Sequence, residues 1–250
     1  MDTLEGQQIV VTGGSRGLGL GIVEAFVARK ARVTVVARDP AGLAEVSKRL
    51  GVEVVRGDVT EEAVARGVLR DVRPSVLVLN AGAKPPLSAI SELTWEAFSG
   101  PWNTDVKAGF HWIQEALKLP LPRGSRVLIG SSGAAVNGSP LSGGYAGAKR
   151  MLWLMAGYAN GIAKERDLDI HFQAVIPQQI IGDTELGRAA AEAYSRRQGI
   201  TTEAFLARFG AALRPEKVGE HVVAILTDAK YATGVAFGLK GDRGIVSLDG

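Results

Sequence analysis

Short apolar runs alternate along this chain with longer segments in which apolar residues recur every three or four positions. The short runs predict strands at residues 9–12, 33–37, 52–55, 76–79, 126–129, 170–176 and 235–237, and residues 244–248 are a candidate for one more. The periodic segments predict helices at residues 18–29, 95–119, 145–165 and 215–227, and another that begins at Pro40. The helix at 95–119 is interrupted near Gly100 and Pro101. Because strands that alternate with helices form a parallel sheet covered on both faces, we predict an α/β fold: a doubly wound parallel sheet of about seven strands with helices on both faces.

Composition limits the classes of protein that this chain can represent. Its 250 residues, 46% of them hydrophobic, can form one large core, and no linker or repeat divides residues 1–250 into more than one domain. The 29 basic and 26 acidic residues give a net charge of +3 and are interspersed, so we expect no nucleic-acid partner. The absence of cysteine excludes disulfides and thiol catalysis, and the three scattered histidines lack the spacing of metal ligands, so we expect no metal site. The apolar run at residues 9–11 is too short for a signal peptide or a membrane span, which predicts a cytoplasmic protein without a membrane partner.

A glycine-rich turn lies between the first predicted strand and the first predicted helix. It reads Thr12-Gly13-Gly14-Ser15-Arg16-Gly17-Leu18-Gly19. A strand, a glycine turn and a helix N-terminus in this order can bind a phosphate group. The turn is not a P-loop, because Leu20 and Gly21 stand where a lysine and a serine or threonine would be. It therefore predicts the phosphate site of a dinucleotide in a Rossmann-type sheet, in which Thr12, Gly13, Ser15, Arg16, Gly17, Leu18 and Gly19 contact the cofactor.

The end of the second predicted strand indicates which dinucleotide is bound. An acidic residue at this point accepts the 2′-hydroxyl of NAD, whereas an arginine meets the 2′-phosphate of NADP. Ala37 ends the strand and Arg38 follows it, while Asp39 is assigned to the start of the next helix as its N-cap. Arg16 supplies a second cation, so the sequence favours NADP(H) over NAD(H).

Tyr145 and Lys149 are four residues apart on one predicted helix, which places them on the same face. An ammonium held near a phenol favours the phenolate. Ser132 follows the fifth predicted strand, at the sheet edge where α/β proteins bind ligands. Taken alone, a tyrosine and a lysine at this spacing are more often part of a solvated helix face.

Together these motifs resemble the short-chain dehydrogenase/reductase family over nearly the whole chain. The resemblance depends on the glycine turn, Asn80-Ala81-Gly82, Ser132 and Tyr145 with Lys149, in that order. It implies hydride transfer between a nicotinamide cofactor and a carbonyl or alcohol. Tyr145 would be the general acid/base, Ser132 would bind the substrate oxygen, and Lys149 would hold the nicotinamide ribose. The resemblance also assigns Asp58, Val59, Asn80, Ala81 and Gly82 to cofactor binding.

Two segments depart from the family pattern. Similar proteins carry an asparagine in the long helix, where it holds a water that links the lysine to solvent. This chain aligns Asp105 with that asparagine and has Asn103 two residues earlier, facing elsewhere, which puts the proton relay in question. After the sixth strand, Gln178 and Gln179 follow Pro177, and these glutamines either face the substrate or lie solvated in a loop.

The sequence therefore predicts an NADP(H)-dependent carbonyl reductase or alcohol dehydrogenase that acts on a small-molecule carbonyl or alcohol. The alternative is a catalytically weak NADP-binding sensor or scaffold of the same fold. Residues 182–214 are expected to form a helical substrate lid, whose apolar residues either line the substrate site or pack against one another. The helix at 145–165 is apolar nearly all round, which predicts a homodimer or homotetramer.

Overall fold

One mostly parallel sheet of eight strands organises residues 3–249, the part of the chain that this computed structural model describes. The strands lie in the order β3-β2-β1-β4-β5-β6-β7-β8. Their bounds are β1 Gln8–Thr12, β2 Arg32–Ala37, β3 Glu53–Arg56, β4 Val76–Leu79, β5 Ser125–Gly130, β6 Ile170–Pro177, β7 Ala236–Lys240 and β8 Gly244–Ser247.

The predicted α/β sheet is confirmed, with one departure at its last strand. β8 is an eighth strand and pairs antiparallel to β7, with Lys240 opposite Gly244. Only residues 241–243 separate the two strands, and a parallel pair needs a crossover of a dozen residues or more. The short turn therefore forces the antiparallel pairing.

Helices cover both faces of the sheet. They are α1 Gly17–Val27, α2 Pro40–Leu50, α3 Glu62–Val72, α4 Trp95–Pro101, α5 Lys107–Lys118, α6 Ala134–Asn137, α7 Tyr145–Glu165, α8 Glu185–Gln198, α9 Thr202–Ala207 and α10 Pro215–Thr227. The interruption predicted near Pro101 is a π-helical turn, Trp102–Val106, that joins α4 to α5. Asp39 caps α2 as predicted, because its carboxylate accepts hydrogen bonds from the amides of Ala41 and Gly42 at 3.2 Å each. No helix within residues 3–249 combines the length and the apolar character needed to cross a membrane.

The strands bury side chains on both faces because helices cover both. Along β1, Ile9 and Val11 pack into the core beneath α1 and α10, whereas Val10 packs into the core beneath α5 and α7. This alternation follows from the two-residue period of a strand.

The strand order reverses direction between β1 and β4. The chain proceeds from β1 outwards through β2 and β3, then returns to place β4 on the other side of β1, with Thr12 beside Leu79. In open α/β sheets, ligands bind in the crevice at the carboxyl ends of strands where such a reversal occurs.

Candidate active site

A groove of about 700 Å³ lies at this reversal point. It extends from the turn after β1 to the first turn of α7 and reaches the start of α8. Fourteen of the residues predicted to bind the cofactor or to catalyse line it: Gly13, Ser15, Arg16, Gly17, Leu18, Gly19, Arg38, Asp58, Val59, Asn80, Ala81, Gly82, Tyr145 and Lys149.

The glycine turn has the shape of a phosphate cradle. Gly13 has a positive φ of 68°, and a Cβ built on it would lie 2.8 Å from the Cα of Ala81. A Cβ on Gly19 would lie 2.2 Å from the carbonyl oxygen of Gly13. Arg16, the N-cap of α1, makes no capping hydrogen bond with its side chain. The N-terminus of α1 is therefore suited to an anionic ligand, and these residues fit the diphosphate of a dinucleotide.

Thr12, which is predicted to contact the cofactor, lies beneath the turn and does not line the groove. Its side chain is buried, and its hydroxyl donates to the carbonyl oxygen of Val78 at 3.3 Å. The Thr12 hydroxyl oxygen also accepts hydrogen bonds from the amides of Asn80 at 3.0 Å and Ala81 at 3.2 Å. In return, the Asn80 side-chain amide donates to the carbonyl oxygens of Thr12 at 3.3 Å and Gly13 at 3.1 Å. Thr12 and Asn80 thus tie the ends of β1 and β4 together and fix the glycine turn.

The two arginines that the sequence assigns to a 2′-phosphate form exposed ion pairs. Arg16 lies 3.8 Å from Glu185 at the start of α8, and Arg38 lies 3.7 Å from Asp58. Both arginine side chains are more than two-thirds exposed, and such pairs contribute little to stability. An anionic ligand can therefore replace either carboxylate at small cost.

The loop after β3 is held from beneath. Asp58 accepts hydrogen bonds from the Thr60 amide at 2.9 Å and the Thr60 hydroxyl at 2.8 Å. The amide contact, with smaller contributions from the hydroxyl and the charge of Arg38, lowers the pKa of Asp58 below its ordinary value. The fully buried Trp112 of α5 donates its indole N–H to the Val59 carbonyl oxygen at 3.0 Å. No pattern in the sequence indicated this contact.

Ser131 and Ser132 have different surroundings. Ser131 is buried and donates its hydroxyl to the Lys149 carbonyl oxygen at 2.7 Å, which anchors the first turn of α7. Ser132 is partly exposed, and its oxygen accepts a hydrogen bond from the Ala134 amide at 3.3 Å. That bond leaves the hydroxyl hydrogen of Ser132 for another acceptor. Ser132 is not among the residues that line the groove, whereas Ser131 is.

Tyr145 is the first residue of α7, and Lys149 lies one turn further along the helix. The Lys149 ammonium lies 5.5 Å from the centre of the Tyr145 ring and donates to the Gly130 carbonyl oxygen at 3.3 Å. The lysine side chain is 7% exposed, although it borders the groove. The structure therefore brings the predicted pair together.

Asp105 makes a direct contact with this lysine. Its Oδ2 lies 3.0 Å from the Lys149 Nζ, and the aspartate side chain is fully buried. Burial alone lowers the pKa of Lys149, but the charges of Asp105 and Tyr145 raise it above its ordinary value. The Oδ1 of Asp105 accepts the Ala83 amide at 2.6 Å. Asn103 is exposed and faces elsewhere, as predicted.

The two glutamines after β6 are structural. Gln179 accepts the Gly241 amide at 2.6 Å and donates to the Ala211 carbonyl oxygen at 3.1 Å, so it ties the segment after α9 to the β7–β8 turn. Gln178 packs against Gly238, where a Cβ would lie 2.9 Å from the glutamine side chain. Both side chains make these contacts with the protein itself, and neither lines the groove.

The segment at residues 182–214 meets the groove at its N-terminal end. Thr184 caps α8 and lies beside Gly17. The aromatic residues of this segment contact one another: Tyr194 stacks on Phe205 at 5.9 Å, and Phe205 meets Phe209 edge to face at 5.5 Å. Among the apolar side chains of this segment, Leu186 lines the groove, whereas the three aromatic residues follow the alternative in which they pack against one another.

Sequence reasoning missed the charged groups that join this segment to the cofactor side. Lys84 and Glu185 both line the groove and form an ion pair, although 101 residues separate them. Asp183 and Arg188 line the same wall. A pairing between positions so distant leaves no local pattern in a single sequence.

The fold and the groove define an α/β protein of the Rossmann type with a candidate nucleotide site. A family model described as short chain dehydrogenase matches residues 7–194, most of the chain. The chain therefore belongs to the short-chain dehydrogenase family, whose dehydrogenases use nicotinamide cofactors.

Two relatives illustrate the similarity. An L-fucose dehydrogenase of Rattus norvegicus is 29% identical over 249 residues, which cover 94% of this chain and 88% of that protein. A cis-1,2-dihydrobenzene-1,2-diol dehydrogenase of Pseudomonas putida is 33% identical over 195 residues, which cover 72% of this chain and 68% of that protein.

Proposed function

We propose that this protein is an NADP(H)-dependent oxidoreductase that interconverts a small-molecule alcohol and its carbonyl compound, with Tyr145 as the general acid/base. The observation that carries the proposal is the continuity of one groove. Tyr145 and Lys149 line the same space as the glycine turn and the segment from Asn80 to Gly82. A cofactor whose phosphates lie at the turn can therefore extend towards the tyrosine.

The proposed chemistry divides among three side chains. A bound nicotinamide supplies or accepts the hydride, and Tyr145 donates a proton to the substrate oxygen or removes one from it. Ser132 can donate its hydroxyl hydrogen to the same oxygen, since its present bond uses only the oxygen as acceptor. Lys149 keeps a positive charge beside Tyr145.

The activity test compares two tyrosines on one helix. Oxidation of NADPH would be measured with a panel of ketones and aldehydes, and reduction of NADP⁺ with L-fucose and cis-1,2-dihydrobenzene-1,2-diol, which the relatives' names suggest. Tyr145→Phe should abolish turnover, whereas Tyr158→Phe, at an exposed position of α7, should keep it. Full activity of the Tyr145 variant would contradict the mechanism.

The preference for NADP(H) is supported by the two exposed arginines of the groove. Ala37 offers no carboxylate at the end of β2, and both carboxylate oxygens of Asp39 already cap α2. A charge-assisted hydrogen bond contributes about 1.5–3 kcal/mol. Arg38→Leu should therefore raise the KM for NADPH about tenfold or more, whereas the KM for NADH should change little. Arg49→Leu, which removes an arginine paired with Glu24 outside the groove, is the matched control. Equal effects on the two cofactors would refute the preference.

The second candidate is an NADP-binding sensor or scaffold without turnover. It is favoured by one observation: the Asp105 carboxylate pairs with Lys149, with 3.0 Å between Oδ2 and Nζ. Tight NADPH binding by fluorescence, with no oxidation across the same panel, would distinguish it from the enzyme.

We also propose that the protein is one domain and that residues 182–214 act as a lid.

Helix α7 is further proposed to form a subunit interface. Leu154, Tyr158 and Ile162 are exposed at four-residue intervals, so they form one apolar stripe. Light scattering should give a dimer or tetramer mass, and Tyr158→Glu should lower that mass. A monomeric wild-type protein would refute the interface.

A further inference from the structure

The Lys149 ammonium has three N–H donors, and two groups of this chain already meet it. The Gly130 carbonyl oxygen lies at 3.3 Å and the Asp105 Oδ2 at 3.0 Å. The rest of the ammonium surface faces the Tyr145 ring and the groove. Asp105 and Tyr145 therefore compete for the same buried charge.

The position of the Asp105 carboxylate is fixed from two sides. Its Oδ1 accepts the Ala83 amide, and a Cβ built on Gly82 would lie 2.9 Å from its Oδ2. The residue lies in the π-helical turn between α4 and α5, and single π turns of this kind are frequent at functional sites. The Oδ2 takes part in no well-aligned hydrogen bond within residues 3–249, so its contact with Lys149 is an ion pair.

Two charged or titratable groups raise the pKa of Lys149. Asp105 from the π-helical turn and Tyr145 from α7 are the charged or titratable groups that do so within the described residues. Lys84, on the neighbouring loop, is paired with Glu185. The β5 side contributes the neutral backbone of Gly130.

We propose that Asp105 is a positioning residue: its carboxylate shares the Lys149 ammonium with Tyr145 and thereby sets the pH range of the reaction. The inference rests on the proposed function, in which Tyr145 exchanges a proton with the substrate. Without the carboxylate charge, the ionised tyrosine is the remaining group within the described residues whose charge acts on the buried ammonium. A like charge nearby disfavours the ionised form of a group, so a neutral residue 105 should lower the pH at which Tyr145 ionises.

The first test needs neither cofactor nor substrate. Ultraviolet difference titration of the protein against its Tyr145→Phe variant isolates the phenolate signal of Tyr145 from the other three tyrosines. Asp105→Asn should shift that midpoint downwards by about one pH unit or more. The asparagine keeps the size of the side chain and an oxygen for the Ala83 amide, so a purely structural role would leave the midpoint unchanged.

Glu115→Gln is the matched control. Glu115 is a buried carboxylate of α5 that pairs with Arg66 and Lys118. Its substitution should leave the Tyr145 midpoint in place. If Asp105→Asn does not fold, Asp105→Ser gives the same comparison with a smaller neutral side chain.

The second test is the pH profile of kcat/KM. Asp105→Asn should move the profile in the same direction as the phenolate titration, while Glu115→Gln should not. Unchanged midpoints in the folded Asp105 variants would overturn the inference and leave the proposed function intact. Full activity of Tyr145→Phe would overturn the proposed function itself, and the titration would still decide whether Asp105 acts on the tyrosine.

Discussion

Replacing Asn80 with alanine should weaken cofactor binding as well as destabilise the fold. The Asn80 side chain is partly buried and donates to two consecutive carbonyl oxygens, those of Thr12 and Gly13. These bonds hold the strand end from which the glycine turn begins. The substitution leaves both carbonyl oxygens without this donor and frees the turn to move.

The expected loss of stability follows from the two bonds. Each contributes a net of about 0.5–1.5 kcal/mol, so Asn80→Ala should lower the free energy of unfolding by about 1–3 kcal/mol. In a chain of this size, 1 kcal/mol corresponds to a shift in Tm of about 2–4 °C. The glycine turn is so tightly folded that a Cβ built on Gly19 would lie 2.2 Å from the Gly13 oxygen, so small shifts distort the cradle. We expect the Kd for NADPH to rise about tenfold, which corresponds to about 1.4 kcal/mol.

Asn160 offers a matched control for this experiment. It is also a partly buried asparagine with two backbone hydrogen bonds, one to each polar backbone group of Phe172 at 2.8 Å, but it lies outside the groove. Thermal unfolding should show similar losses for Asn80→Ala and Asn160→Ala, and fluorescence titration should show weakened NADPH binding in Asn80→Ala alone. Wild-type affinity in a destabilised Asn80 variant would refute the role assigned to it.

Three further substitutions test contacts and a buried titratable group elsewhere in the fold. Tyr194→Phe removes hydroxyl bonds to the loop before α7 and should cost about 1 kcal/mol, with faster tryptic cleavage of residues 182–214 as the measurement. Gly219→Ala should cost about 1–3 kcal/mol in thermal unfolding, because its Cβ would lie 2.4 Å from a carbonyl oxygen of α1, whereas Gly67→Ala has open space and should not destabilise. Burial lowers the pKa of His171 below its ordinary value of 6.5. As the pH falls, the unfolded chain therefore binds a proton at a higher pH than the folded chain does. The free energy of unfolding consequently falls as the pH falls through 6.5. His171→Gln should reduce the drop in Tm between a pH above 6.5 and a pH below it. An unchanged drop would contradict the assignment of this pH dependence to His171.

The regular elements could be predicted where one physical signal was sufficient. Strand β4 and helices α7 and α10 have the bounds that their apolar patterns indicated. The antiparallel direction of β8 was missed, although the few residues that precede it already exclude a crossover. The short helix α6 was missed as well, because four residues carry no measurable periodicity.

The site could be predicted only as far as its residues follow one another along the chain. The glycine turn and the pair of Tyr145 and Lys149 are local motifs, and the groove contains both. The ion pair of Asp105 with Lys149 depends on how a π-helical turn aims one side chain across to another helix. Position 105 could be identified as unusual, but its direct contact with the lysine required the fold.

The charged pairs of the groove differ in how far they are exposed to solvent. In the proposed mechanism, this difference separates cofactor binding from proton transfer. The carboxylates of Glu185 and Asp58 pair with exposed arginines, which solvent and salt screen strongly. The pair of Asp105 and Lys149 is buried, so salt screens it much less. Under the proposed function, higher ionic strength should therefore change the affinity for NADPH while leaving the pH profile of turnover in place. Under the same proposal, Arg16 and Arg38 exchange their carboxylates for the cofactor phosphate, whereas Lys149 retains its pair with Asp105.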